Sequence, residues 1–253
     1  MKKLILASAV SAAFVGGFAQ AEEAAKSDHA FSFNVGATSD YRFRGISQSR
    51  RDPAISAGID YSNTPTGLYI GAWASSIKWV KDNGGDGNME VDIYGGKRGE
   101  AGGIAYDVGF IHYNYPNNKL SALPPLVNAN TTEVYTQVGY GVATLKYSYA
   151  LTNFIGWGDN TDGSDYIDLN VNPEISDGYV LNLHVGKQRV KNYSNGLADY
   201  TDWKIGVTKD FGIAAVALAV VGTDADKTTS GYNFGGRGFT GNTKFIATVT
   251  KTF

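Results

Sequence analysis

Three histidines, His29, His112 and His184, are the only side chains of this sequence whose ordinary pKa suits proton transfer near neutrality. A nucleophilic triad would need a serine within hydrogen-bond reach of such a histidine, itself oriented by an acid. His184 falls on a polar face between Asn182 and Gly186, His112 on an apolar face, and His29 close to the start of the chain proper. Ser148 shares the polar parity, but its segment and that of His184 are not neighbours in order, and no Gly-x-Ser-x-Gly occurs. The chain has 0 cysteines, which excludes thiolate nucleophiles, disulfides and thiolate metal sites. Asp82-Asn83-Gly84-Gly85-Asp86-Gly87 begins like a calcium loop, yet Ile93 stands where a bidentate glutamate is required. Gly236-Arg237-Gly238-Phe239-Thr240-Gly241 fits a dinucleotide pattern but leads into a strand instead of a helix. The expectation is therefore no catalysis, no cofactor and no metal.

Charge on the polar faces is the richer signal. Arg42 and Arg44 close one alternating segment, whereas Glu90, Asp92, Glu133, Asp168, Asp202, Lys204 and Lys244 open others. Asp60, Asp107, Lys146, Asn170, Tyr94, Tyr135 and Gln137 share the same parity. Facing lipid, an arginine or lysine at mid-depth would cost roughly 2 to 4 kcal/mol; facing a lumen, it is tolerable. Acids opposite two arginines would set a field across a narrow pore and select small hydrophilic solutes by size and charge. The same charges paired across the lumen would instead plug it.

The elements that must position these groups are strands. Lys2 and Lys3 precede an uncharged run from Leu4 to Phe18, and Ala19-Gln20-Ala21 is a small-x-small cleavage site, so residues 1–21 read as a secretion signal. Without it 20 basic and 24 acidic side chains remain, too mild a balance for a nucleic-acid partner. The longest later apolar run, Ile213 to Val221, is far short of a membrane helix but close to the 9 to 11 residues of a tilted membrane strand. Apolar/polar alternation recurs in twelve segments, beginning at Phe31, Pro53, Leu68, Met89, Gly103, Thr131, Val142, Tyr166, Tyr179, Tyr200, Ile213 and Thr243. The connections between them alternate long and short, as in bacterial outer-membrane barrels with long outer loops and short periplasmic turns. Tyr61, Tyr106, Tyr140, Tyr179 and Phe253 would form the inner aromatic girdle, and Tyr41, Tyr149 and Trp203 the outer one. The chain ends on Phe253 after an alternating strand, which resembles the signal read by the barrel-assembly machinery.

Ser39-Asp40-Tyr41-Arg42-Phe43-Arg44-Gly45-Ile46-Ser47-Gln48-Ser49, then Pro53-Ala54-Ile55 and Gly71-Ala72-Trp73-Ala74-Ser75, resemble the opening of the TorF family of outer-membrane proteins. Glu90-Val91-Asp92-Ile93-Tyr94-Gly95-Gly96, Asp165-Tyr166-Ile167, Asp199-Tyr200-Thr201-Asp202-Trp203-Lys204 and the ending Lys251-Thr252-Phe253 are similar too. That family is named for an inferred barrel, so the resemblance implies location and architecture, and a transport role only weakly.

The sequence is thus read as an all-β protein. It consists of a signal over 1–21, a periplasmic segment over 22–30, and a twelve-stranded antiparallel up-and-down transmembrane β-barrel over 31–253. The expected activity is passive passage of small hydrophilic solutes through a charged lumen. The expected surroundings are outer-membrane lipid and lipopolysaccharide, the latter within reach of Arg50 and Arg51. The alternatives are a non-conducting barrel that adheres or braces the envelope through its outer loops and, behind it, a lipid hydrolase using His112 or His184.

Overall fold

A computed structural model describes residues 27–228, 232–233 and 238–253. The signal sequence lies outside the described residues, as do positions 22–26 of the periplasmic segment and positions 234–237, which hold Gly236 and Arg237 of the glycine-rich loop.

Twelve strands form one wall: β1 (His29–Thr38), β2 (Ala54–Asn63), β3 (Leu68–Ser76), β4 (Met89–Ala101), β5 (Ile104–Asn114) and β6 (Thr131–Tyr140). They continue as β7 (Ala143–Ala150), β8 (Asp165–Val171), β9 (Tyr179–Arg189), β10 (Tyr200–Asp210), β11 (Ala215–Thr223) and β12 (Lys244–Thr252). Each pairs antiparallel with its sequence neighbour, and β1 pairs with β12 through Asn34↔Thr252 to Thr38↔Thr248, closing the barrel. Phe33 and Phe253 exchange backbone hydrogen bonds of 3.2 and 2.8 Å at the seam, so the terminal residue takes part in closure. Closure leaves no unpaired strand edge, the condition for crossing a bilayer with strands.

Each strand begins within two residues of the position that alternation predicts. The largest departures are at β1, where His29 and Ala30 pair with Asn63 and Ser62, and at β11, which starts at Ala215. His29 Nδ1 sits 2.7 Å from the Tyr61 hydroxyl, which explains why the ladder extends beyond the apolar alternation.

The sides of the wall are inverted relative to a soluble barrel. Along β6, Thr131, Glu133, Tyr135, Gln137 and Gly139 are buried, while Val134, Val138 and Tyr140 between them are exposed. Phe31, Phe33, Val35, Ile59, Ile70, Val108, Leu145, Ile205 and Phe245 likewise point outward. Buried polar side chains and exposed apolar ones on alternating positions are what a lipid-facing wall around a polar interior requires. Among the described residues no helix is long and apolar enough to cross a membrane.

Candidate functional site

The segment after β1 does not extend the wall. It folds inward as a small hairpin, with Arg42↔Ser47 and Phe43↔Ile46 paired and Arg44-Gly45 as its two-residue turn. Both turn residues have positive φ, 46° and 80°, the geometry of a type I′ connection that favours glycine at the second position. Gly45 is also sterically pinned: a Cβ there would lie 2.5 Å from Thr223 Cγ2 and 2.6 Å from Asp202 Cβ, on the strands two and three places from β1. The expectation that Arg42 and Arg44 close an ascending strand is therefore corrected. The physical reason is Asp40, whose carboxylate accepts Arg42 Nε at 2.8 Å, Ser47 Oγ at 2.5 Å and Ser49 Oγ at 3.3 Å, bending the chain back upon itself. Tyr41 is corrected with it: it is not an outer-girdle residue but is buried, donating to Glu90 Oε1 at 2.7 Å and packing edge-on against Trp73.

Arg44 carries the tip of the hairpin across the lumen. One guanidinium nitrogen donates to Glu133 Oε2 of β6 at 2.6 Å and the other to Gln188 Oε1 of β9 at 2.7 Å. The cation lies 4.4 Å from the Tyr166 ring centre and 4.7 Å from that of Phe43, in cation–π range. Arg44 and Glu133 side chains are each only 1% exposed, so no open passage separates them. Arg42 does not meet the acids of the wall; besides Asp40 it donates to the carbonyls of Gly45 and Asn242, both at 2.8 Å.

The wall acids divide between satisfied and strained positions. Asp202 accepts the Tyr166 hydroxyl at 2.9 Å and lies 2.9 Å from His184 Nε2. Tyr166 reaches it by lying across β9 at Gly186, where a Cβ would stand 2.0 Å from its hydroxyl. Asp168 accepts Asn170 Nδ2 at 2.6 Å. Glu90, Asp92 and Glu133 are buried, and each keeps one carboxylate oxygen without a hydrogen-bond partner among the described residues. Such groups stay ionised only where water or a counter-charge reaches them.

The cations are spread differently from the expected constriction. Lys146 is buried above the Tyr135 ring at 4.0 Å, and Lys204 is half-buried on β10. Lys244 has the parity of buried Ile246 and Thr248 and is exposed at the first position of β12. In the opposite half of the lumen, Tyr94 donates to Asp60 and Tyr69 to Asp107, both at 2.6 Å, while Tyr69 and Tyr135 hydroxyls touch. A filled, hydrogen-bonded interior thus lies below the hairpin as well.

The candidate catalytic groups do not assemble. His184 contacts Tyr166, Asn170 and Asp202, and His112 contacts Thr132 Oγ1 at 2.9 Å. Among the described residues no serine hydroxyl reaches either ring. The calcium-like run is spent on ion pairs, Asp82 with Arg50 and Asp86 with Lys119. Sequence reasoning missed Asp40, Ser47, Ser49, Tyr166 and Gln188 as organisers of the lumen. The available signal was Phe43-Arg44-Gly45-Ile46, where glycine follows arginine between two apolar residues, a short-hairpin pattern at the boundary read as the end of the first strand and the start of the first long loop.

The bacterial family of unknown function described as Gcw_chp matches residues 22–253. No curated protein matches the sequence. Among solved structures, the chain is similar to the NanC porin, with 9% identity, a TM-score of 0.50, and coverage of 88% of this chain and 98% of that one. It is equally similar, at 5% identity and TM-score 0.50, to a protein from a study of in-meso crystallization of membrane proteins, covering 88% and 83% of the two chains. Omp33 of Acinetobacter baumannii overlaps 88% of this chain and 96% of its own at 5% identity, with a TM-score of 0.48. At these identities the likeness concerns the fold.

Proposed function

The chain belongs to the Gcw_chp family of bacterial proteins of unknown function, and we propose that it is a passive outer-membrane porin for small hydrophilic solutes whose first outer loop forms the constriction. The observation that carries this is the hairpin at Arg42–Ser47, fixed across the lumen by Arg44 to Glu133 and Gln188. A polar, charged interior inside an apolar wall suits hydrated solutes. The porin-like fold and the resemblance of the Asp40–Ser49 stretch to the TorF family support the same reading, as does a seam completed by Phe253, the residue on which the barrel-assembly machinery would act. Lipid contacts the exposed apolar faces. Lipopolysaccharide phosphates would meet Arg50 and Arg51 on the first outer loop.

A second reading, a non-conducting barrel acting through its outer loops, is favoured by the dry Arg44–Glu133 pair. Planar-bilayer recording of refolded protein separates the two. The porin reading expects small discrete steps that grow when residues 42–47 are replaced by a short glycine-serine link. Silence from both proteins, with the barrel intact, would establish the second reading. Hydrolysis is the least supported, since neither His112 nor His184 meets a serine hydroxyl among the described residues.

A further inference from the structure

Above the hairpin the outer loops line an open-mouthed cavity of about 230 Å³. Its floor is the hairpin segment itself, through Phe43, Ile46 and Gln48. Each of the other five outer connections supplies wall: Trp79 after β3, Leu126 after β5, Trp157 after β7, Tyr193 after β9 and Tyr232 after β11. The aromatic walls are braced against one another, with Trp157 edge-on to Tyr193 and Tyr232 at 4.6 and 4.8 Å. Ligand sites are typically concave and mostly apolar, with a few convergent polar groups.

The polar atoms of this cavity fix what fits. Among the described residues no charged side chain lines it. Gln48 Nε2 donates to Ile46 O and Asn83 Nδ2 to Trp79 O, both at 3.0 Å, and the Tyr232 hydroxyl donates to Ala198 O. Each amide keeps a second N–H, and the Trp157 indole and the Tyr193 and Tyr200 hydroxyls also line the cavity. The Gln48 and Asn83 amide oxygens have no partner among the described residues, so the cavity offers acceptors in apolar surroundings. An ion would lose its hydration without a counter-charge, and a sugar would bury several hydroxyls unmatched. An aromatic ring packs edge-on or face-on against these walls. The size agrees, since a cavity of roughly 150 Å³ holds benzene.

We infer that this outer vestibule is a binding site for a small uncharged aromatic molecule carrying a hydrogen-bond donor, a phenol being the simplest example. Such a ligand would rest directly on the hairpin that crosses the lumen. The inference does not depend on conduction, because binding is read on the refolded barrel whether or not it carries current.

The test is a ¹⁹F-NMR titration of the refolded full chain in detergent with 4-fluorophenol, beside 4-fluoroanisole, which lacks the donor. Saturable one-site binding of the phenol is expected, with the anisole about fivefold weaker and Gln48→Leu weakening the phenol by a similar factor, as for one lost hydrogen bond. Leu126→Trp, which fills the cavity, should abolish binding while the barrel keeps its heat resistance. Should that variant fail to fold, Ile155→Trp, at another lining position, serves the same purpose. Non-saturable signal unchanged by the filling variant would mean partition into micelles and overturn the site. Equal affinity for the anisole would overturn the donor requirement.

Discussion

Arg44 and Glu133, 89 positions apart in sequence, lie 2.6 Å from each other with both side chains buried, and this contact joins the tip of the inward hairpin to the wall of the barrel. It is a buried ion pair, whose two ions are costly to desolvate separately and tolerable only together. Removing one partner typically costs about 3 to 5 kcal/mol because the other is left uncompensated. Arg44→Ser should therefore lower the temperature at which the barrel loses its gel-shifted folded form, and adding Glu133→Gln should recover much of the loss. If the single and double variants melt alike, the pair does not hold the hairpin.

Gly45→Ala addresses the turn instead of the charge. Two costs add there: a left-handed φ for an L-residue, roughly 1 kcal/mol, and the collision with Thr223 and Asp202. Gly212 provides the control, for its φ is also 80° but a Cβ there meets nothing within 4 Å. Gly212→Ala should show the φ cost alone, whereas Gly45→Ala should in addition displace the hairpin and raise open-channel current. Indistinguishable currents and melting curves for the two variants would show that the hairpin tolerates displacement without consequence.

The wall was legible in the sequence because a two-residue period is local: lipid outside and polar interior inside force alternation on each strand separately. Glu133, Tyr135 and Gln137 on β6 could be assigned inward from their own neighbours. The hairpin was not legible in the same way. Arg42 and Arg44 keep alternating parity through the turn, so a folded-back segment and a continued strand share one pattern. What separates them is Asp40 gathering Arg42, Ser47 and Ser49, and the fit of Gly45 against Asp202 and Thr223, contacts up to 178 residues distant in sequence. The partner of each lumen charge depends on the closed barrel as a whole. Hence Arg44 with Glu133 could be anticipated as opposites, but Gln188 and Tyr166 could not.

Loss of Phe253 should impair assembly more than loss of Phe239. Phe253 exchanges two backbone hydrogen bonds with Phe33 at the seam, whereas Phe239 sits in an outer loop. Deleting Phe253 also removes an exposed aromatic beside the seam. The measurement is the fraction of each variant reaching the heat-resistant form in outer-membrane fractions. Equal fractions would remove the assembly role from the terminus.

Acid should loosen the outer loops late. The hydrogen bond from Lys78 holds the Asp52 carboxyl below its usual range, and that from Lys119 does the same for Asp86. A depressed folded-state pKa contributes stability above the unfolded value, about 3.9 for aspartate, and loses it as pH falls through the lower folded value. Both pairs are well exposed and individually weak. Hydrogen exchange in the loops after β1, β3 and β5 should therefore be unchanged between pH 7 and 5 on account of these pairs and rise only below about pH 4. Asp52→Asn with Asp86→Asn should remove that acid step. An acid step that survives in the double variant would place its origin elsewhere.

Replacing both Arg42 and Arg44 by serine removes two positive charges from the inward hairpin and leaves Glu90, Asp92 and Glu133, each with an unpartnered buried oxygen. If water enters the space vacated by two long side chains, those carboxylates are hydrated and the lumen turns acidic. Cation preference and conductance should then both rise, read from reversal potentials in a salt gradient. If the lumen stays dry, the carboxylates are stranded. The barrel then loses heat resistance by about 3 to 5 kcal/mol for the broken Arg44 pair without gaining current. A conducting variant with unchanged selectivity would show that these arginines do not face the permeation path, whatever the wall acids do.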